Sequence, residues 1–305
     1  MTPDFSLSVV IPVYNAAPFI EDAVNSVLEH PVVKEIILVE DGSSDESLKV
    51  CQDLSSNSKV KLITHDKGQN LGAGPSRNAG INTAGCEWIG FLDADDLWLS
   101  NRFEQALRVI ESHPDADGVY ECLGIQFENE LVEKNWMQLM GYRNTTLNEM
   151  VAPAELIFNM APLGKKGWFS GDALIVKKSL LLACGNYSAL KLNQDTELFM
   201  KLAIKGRLYP GNIEEPVALR RVHANNRIST EPVNLYAHRF NMWKQFVAWC
   251  LDEHISHKII SLSWRRWLKV WLVNIRLQKG LANKFAWLFK GGGALFNPRI
   301  LLKLV

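Results

Sequence analysis

Short apolar runs rich in β-branched residues alternate with amphipathic stretches over the first hundred residues. Residues 7–13 (LSVVIPV) predict a buried strand, with a proline close to its end. Residues 18–30 predict a helix: Phe19, Ala23, Val24, Val27 and Leu28 recur at helical spacing, and Pro18 suits a first helical position. A second buried strand is predicted over 35–39. Ser44 is a candidate cap for a following helix that carries Leu48, Cys51 and Leu54 on one face. A third strand over 60–64 leads into a polar, glycine-rich loop at 66–74 and a short helix at 75–83. A fourth strand at 88–92 precedes a helix that Ser100 would cap and that runs to 113. From 118 to 171 the pattern mixes strand and loop. A strand at 171–176 and a helix at 195–205 follow, and beyond 238 the chain reads as amphipathic helix.

Strands alternating with helices predict an α/β fold with a mostly parallel, doubly wound sheet. In such folds a ligand sits beyond the carboxyl ends of the strands. Two polar clusters, Glu40-Asp41-Gly42-Ser43 and Asp93-Ala94-Asp95-Asp96, follow directly after predicted strands and so belong at that crevice.

With 305 residues, 47% hydrophobic and 22% charged, the chain has room for one large α/β domain and an appendage. Its formal net charge of zero hides an asymmetry. Residues 238–305 hold 12 Lys/Arg against 2 Asp/Glu and 6 of the 10 tryptophans, which leaves an acidic body with a basic, Trp-rich extension. The expected division is therefore 1–237, in which the strand–helix alternation of 1–117 gives way to the mixed pattern of 118–237, followed by the extension at 238–305. The five cysteines are scattered and form no C-x-x-C pair, which argues against structural zinc and fits a reducing compartment. Neither a signal peptide nor a transmembrane run is expected.

Two carboxylates at i and i+2 leaving a buried strand, Asp93 and Asp95 around Ala94, suit one hard divalent cation, Mg2+ or Mn2+, beside a diphosphate. The alternative is a solvated acidic turn with Asp96 capping a helix. Asp41 is placed to accept hydrogen bonds from a base or a ribose, or else to close an Asx-type turn. The Asn70-x-Gly72-x-Gly74 loop offers backbone amides to a phosphate. Arg77 is a candidate partner for the diphosphate or for the acidic triplet, the alternative being a structural ion pair.

Four ordered blocks, SVVIPVYN (8–15), VEDGSSD (39–45), NLGAGPSRNAG (70–80) and FLDADD (91–96), resemble glycosyltransferase family 2, which has the GT-A fold. The likeness continues through QDTEL (194–198) and RVH (221–223), covering roughly residues 5–230. It implies that Pro12, Tyr14, Asn15 and Asp41 line the nucleotide base and ribose, with Glu21 a neighbour. Asp93 would contact the ribose or the metal shell, Asp95 would bind the metal, Asp195 would be the general base, and His223 would lie near the diphosphate as a further metal ligand. The sequence departs from the family pattern at Gln194, where Glu is common, at Ser76, where Ala is common, and in the longer spacing at 224–229.

The resemblance implies an inverting, metal-dependent hexosyltransferase that uses a nucleotide-diphosphate sugar, with UDP the commonest nucleotide. Its acceptor would be a saccharide or lipid-linked saccharide of the cell envelope, and the chain would work in the cytoplasm, on the inner face of the membrane. Asp195, at a predicted helix start, has a plain helix cap as its alternative role. The competing functions are a sugar nucleotidyltransferase, which would carry a basic glycine-rich loop where Tyr14-Asn15-Ala16-Ala17 stands, and a non-catalytic sugar-nucleotide module at a membrane. In the extension, residues 255–278 place Trp264, Arg265, Arg266, Trp267, Lys269, Trp271 and Arg276 among Ile and Leu. Peripheral membrane contact through such a helix competes with packing and with a homo-oligomer interface. No nucleic-acid motif is present.

Overall fold

The computed structural model describes residues 5–223 and 232–295; the spacing departure at 224–229 lies outside the described residues. The chain divides into two compact units, Met1–Ala189 with Leu198–Asn226, and Leu190–Glu197 with Arg227–Val305. The second unit thus starts ahead of the charge shift at His238 and takes in the segment that carries Asp195.

The first unit holds eleven described strands: β1 (Leu7–Val13), β2 (Val33–Glu40), β3 (Val60–Thr64), β4 (Trp88–Phe91), β5 (Leu97–Trp98), β6 (Gly118–Tyr120), β7 (Cys122–Phe127), β8 (Asn144–Thr145), β9 (Leu174–Lys177), β10 (Leu208–Pro210) and β11 (Pro216–Val222). Seven form one sheet in the order β10-β6-β9-β4-β1-β2-β3, and four form a second in the order β5-β11-β7-β8. β1 is an interior strand with parallel partners on both sides: Val10 faces Ile37 of β2 and Phe91 of β4. Its residues are buried on both faces apart from Pro12, which explains an apolar run broken only by Ser8, whose hydroxyl donates to Glu35 at 2.6 Å. β3 lies at the edge, and its exposed Lys61 reaches Glu35 on β2 at 2.5 Å. β9 runs antiparallel to both β4 and β6, so the sheet is mostly parallel with one reversed strand.

Helix Ile20–Leu28 buries Ile20, Ala23, Val24 and Val27 against this sheet. Helix Ala73–Thr83 lies so close to β1 that a Cβ on Gly80 would stand 2.3 Å from Val10 Cγ1, and only glycine fits there. Two expected caps are displaced. The helix after β2 starts at Ser47, with the Ser47 N–H donating to Asp45 Oδ1 at 3.0 Å, because Ser44 turns to Asn15 instead. The helix expected from Ser100 starts at Glu104, since Leu97 and Trp98 first pair with β11. The expected strand at 171–176 opens as a single 3-10 turn, Gly171–Ala173, before β9.

In the second unit, helices Pro232–Asp252, His257–Leu277 and Leu281–Leu295 pack through aromatic side chains. Phe240 meets Trp267 at 5.6 Å and Trp287 at 5.2 Å, and the Trp271 indole N–H donates to the Trp287 carbonyl at 2.6 Å. Trp267 and Trp271 are buried, so these two are packing residues within their unit. Among the described residues no helix is long and apolar enough to cross a membrane.

Candidate active site

β1, β2 and β4 are parallel neighbours, so the loops that leave Val13, Glu40 and Phe91 emerge at one edge of the sheet. That edge carries two carboxylate clusters of different character.

The first follows β1 and β2. Glu40 is buried and accepts the N–H groups of Gly42 (3.2 Å) and Ser43 (2.5 Å), so it closes the turn that the sequence reading gave to Asp41. Asp41 reaches across instead. Its two oxygens accept the Leu71 and Gly72 N–H groups at 2.7 and 2.9 Å, pinning the glycine-rich loop to β2. His65 Nε2 stands 3.4 Å from the same carboxylate and 2.8 Å from Ser76 Oγ, which gives the departure at Ser76 a structural partner. Gly42, at φ +71°, lies against that loop, where a Cβ would come within 2.5 Å of the Gly68 carbonyl oxygen. Asn15, at φ 51°, accepts the Ser44 N–H at 2.8 Å and donates its own N–H to Ser43 Oγ at 3.0 Å. Tyr14 and Asn70 are exposed, Pro12 is half-buried on β1, and Gly74 is buried in the first turn of its helix.

The second cluster follows β4. Asp93 takes the Arg77 guanidinium at 2.5 Å, and Arg77 lies over the Tyr187 ring at 5.2 Å. Arg77 thus joins the acidic triplet, one of the two partners expected for it. Asp172, from the turn before β9, accepts the Asp93 N–H at 2.9 Å and the Ser170 hydroxyl at 2.9 Å, and Arg220 Nη2 stands 3.8 Å away. Asp96 is buried and accepts the Arg221 N–H at 2.9 Å. Oxygens of Asp93, Asp96 and Asp172 lie within 4.8 Å of one another. Burial, followed by the Asp93 charge, pushes the Asp172 carboxyl up to about 6. Burial and the neighbouring carboxylates push Asp96 well above the ordinary range, and burial and Asp93 raise Asp95.

Arg221 organises the far side of this cluster. Its Nε donates to the Asp95 carbonyl at 2.5 Å, Nη1 to Asp22 at 2.9 Å and Nη2 to the Phe19 carbonyl at 3.1 Å. The Phe19 ring stacks on His223 at 4.8 Å, and His223 Nε2 faces Asp95 Oδ2 at 3.6 Å. Residues 128 apart in sequence, Asp95 and His223, are therefore side by side. Ala94 between the carboxylates is buried. Asp195 is half-buried in the first turn of helix Gln194–Lys205 and belongs to the second unit.

Asp95 Oδ2 and His223 Nε2, 3.6 Å apart, are spaced much as two ligands of one divalent cation would be, whereas among the described residues the group of three possible ligands is Asp93, Asp96 and Asp172. Two neighbouring ligands of an octahedral ion with bonds of about 2.1 Å stand roughly 3 Å apart, near the observed spacing. Both side chains retain partial exposure. Asp96 and Asp172 are turned inward, and their oxygens accept hydrogen bonds that shape the loop.

Sequence reasoning missed Asp172 and Arg220, gave Arg221 no role beyond its place in RVH (221–223), and put Asp96 at the crevice with a helix cap as its alternative. A lone Asp in Ser170-Gly171-Asp172-Ala173 before an apolar strand was the available signal.

The mostly parallel strands with acidic loops at their carboxyl ends place the chain among α/β proteins of the GT-A type. The model of the family "Glycosyl transferase family 2" matches residues 8–163, about half of the chain, and the chain belongs to that family. An uncharacterised glycosyltransferase of Haemophilus influenzae is 28% identical over 232 residues, covering 75% of this chain and 72% of the relative. The Escherichia coli UDP-Glc:alpha-D-GlcNAc-diphosphoundecaprenol beta-1,3-glucosyltransferase WfgD is 27% identical over 158 residues, covering 51% of this chain and 54% of that protein. Among solved structures, Staphylococcus aureus TarS 1-349 in complex with UDP-GlcNAc superposes with a TM-score of 0.63 at 17% identity, covering 98% of this chain and 79% of that one. The Pyrobaculum calidifontis mannosyltransferase PcManGT, in complex with GDP-Man and Mn2+, gives 0.56 at 17% identity, covering 99% of this chain and 86% of that one.

Proposed function

We propose that this chain transfers a sugar, with inversion, from a nucleotide-diphosphate donor (UDP-linked by preference) to a hydroxyl of a lipid-linked or envelope saccharide. The observation that carries the reading is the meeting of Asp95 and His223 beside crowded carboxylates at the carboxyl end of β4. Burial, and after it repulsion between neighbouring carboxylates, raises carboxyl pKa values there, a condition that a bound cation would relieve. Asp95 and His223 would hold Mn2+ or Mg2+, with Asp93 joining through the outer shell. The ion would supply neutralisation of the charge that grows on the departing diphosphate.

The protein's own groups do the rest. Asp41 and Asn15 fix the loops on which base and ribose rest, with Pro12 and Tyr14 lining them. Arg77 orients Asp93, and since the Leu71 and Gly72 amides are committed to Asp41, only the remaining amides of the 70–74 loop would meet the donor's phosphates. Asp195 takes the proton from the acceptor hydroxyl as its oxygen bonds to the anomeric carbon; the carbon–oxygen bond to the diphosphate breaks and its electron pair leaves with the nucleotide. Back-side attack in one step inverts the centre.

A panel of nucleotide sugars scored by thermal shift, with Mn2+ or with EDTA, tests donor and metal together. The expected result is a rise in Tm for one nucleotide class, present only with the ion. Asp195→Asn should keep that rise and lose nucleotide release with acceptor by roughly 100-fold or more. Normal turnover in this variant removes Asp195 from the role, and an EDTA-insensitive shift removes the metal.

A further inference from the structure

We propose that the second unit docks on the surface of an anionic lipid membrane through the apolar face of helix Leu281–Leu295, with Trp267 and Trp271 of the helix before it packed inward and only that helix's basic face joining the contact. In helix Leu281–Leu295 one side is committed inward: Trp287 packs on Phe240, and its carbonyl accepts the Trp271 indole N–H. The other side exposes Leu281 (75%), Phe285 (56%), Leu288 (42%) and Phe289 (82%). These positions follow i, i+4, i+7 and i+8, so they form one stripe roughly 100° wide on a single helix face. Two phenylalanines and two leucines presented together on one face are not the scattered apolar residues of an ordinary surface.

Charge selects the occupant. Residues 254–305 contain 10 Lys/Arg and no Asp or Glu. On helix His257–Leu277, Arg265, Lys269, Leu272 and Arg276 are all exposed and follow i, i+4, i+7 and i+11, again a single face. Lys279 and Lys284 are exposed beside the apolar stripe. A second copy of this unit would bring like charges together, with no acidic residue in 254–305 to pair them. An anionic bilayer supplies both an apolar interior for the Phe/Leu stripe and negative headgroups for the cations. Since no described helix can span, the contact is with the surface. This inference concerns where the chain sits, so its failure would leave the transfer reading intact.

The test is co-sedimentation of the full chain with vesicles of phosphatidylcholine alone or mixed with phosphatidylglycerol, at low and high salt. Binding is expected only to the mixed vesicles, and should weaken with salt. Phe285→Ser combined with Phe289→Ser alters exposed side chains only, so the fold, checked by circular dichroism, should persist while binding falls by at least about tenfold. Arg265→Glu with Lys269→Glu should abolish the preference for phosphatidylglycerol. Equal binding by the serine variant, equal binding to both vesicle types, or no vesicle binding by a chain that forms dimers in light scattering would each overturn the proposal.

Discussion

The two carboxylate clusters at the edge of the main sheet sit one strand apart and solve opposite problems. After β2, Glu40 and Asp41 are nearly inaccessible, and four backbone N–H groups point at their oxygens. After β4, three aspartates within four residues share a space with Asp172, and burial, followed by mutual repulsion, raises several of their pKa values. Satisfied carboxylates are scaffold: their negative charge is spent on holding loops. Crowded ones carry a standing cost to the fold, and on the proposed reading a bound cation would relieve it. On that reading the difference separates residues that shape a donor site from residues that would do chemistry in it, although both kinds are acidic and both follow strands.

The largest effect should come from removing charge where it is crowded. Asp95→Asn is expected to cut nucleotide release by roughly 100-fold or more and to abolish any Tm rise on adding Mn2+. The same change should leave the metal-free protein as stable as before, or more so, because it relieves repulsion from Asp93. A variant that still responds fully to Mn2+ would show that the crowding serves another purpose. Asp93→Asn is a weaker version, since Arg77 already offsets part of its charge at 2.5 Å.

Charge removed from the satisfied cluster should act in the opposite way. Glu40→Gln replaces one acceptor oxygen with an NH2 facing a backbone N–H, and should cost about 2 kcal/mol of stability in urea unfolding. Donor binding would suffer only through the loosened turn, so saturating donor should recover most of the turnover. Loss of activity without loss of stability would instead place Glu40 in contact with substrate.

This contrast was only half legible in the sequence. β1 to β4 show plainly because each is an apolar run too short for a helix, and the acidic blocks after β2 and β4 are contiguous. Asp95 is visible for the same reason. His223 entered only through the family resemblance, because nothing local ties it to a residue 128 positions earlier. Asp172 and Arg221 escaped for that reason too: Asp172 matters through a hydrogen bond to Asp93, and Arg221 through four bonds to Asp95, Asp96, Asp22 and Phe19. The caps at Ser44 and Ser100 failed because a serine before an apolar run suits a turn as well as a helix start. At Ser44 the choice was made by Asn15, 29 residues away. In the extension, tryptophan content drew attention to residues 255–278, whereas the exposed stripe lies on the next helix, which sequence periodicity alone did not orient.

The smallest effect concerns a third kind of buried titratable group, one with neither satisfaction nor a waiting cation. His30 lies edge-on to Trp98 and Phe103, and burial, assisted by the Arg102 charge, lowers its pKa to about 4. An unfolded histidine binds its proton near 6.5, so between 6.5 and about 4 the unfolded chain holds more protons than the folded one, and stability falls as pH falls. The crowded carboxyls respond in the other direction. A folded pKa raised to about 6 at Asp172 means that the folded chain binds protons first, so stability rises as pH falls from that point. In the wild type with EDTA the two responses oppose each other and the net slope is shallow. His30→Leu removes the first, and should leave the variant gaining about 1 kcal/mol relative to wild type between pH 6.5 and 4.5 in urea titrations. Parallel curves for the two proteins would mean that His30 is protonated in the folded core and that Arg102 does not oppose it.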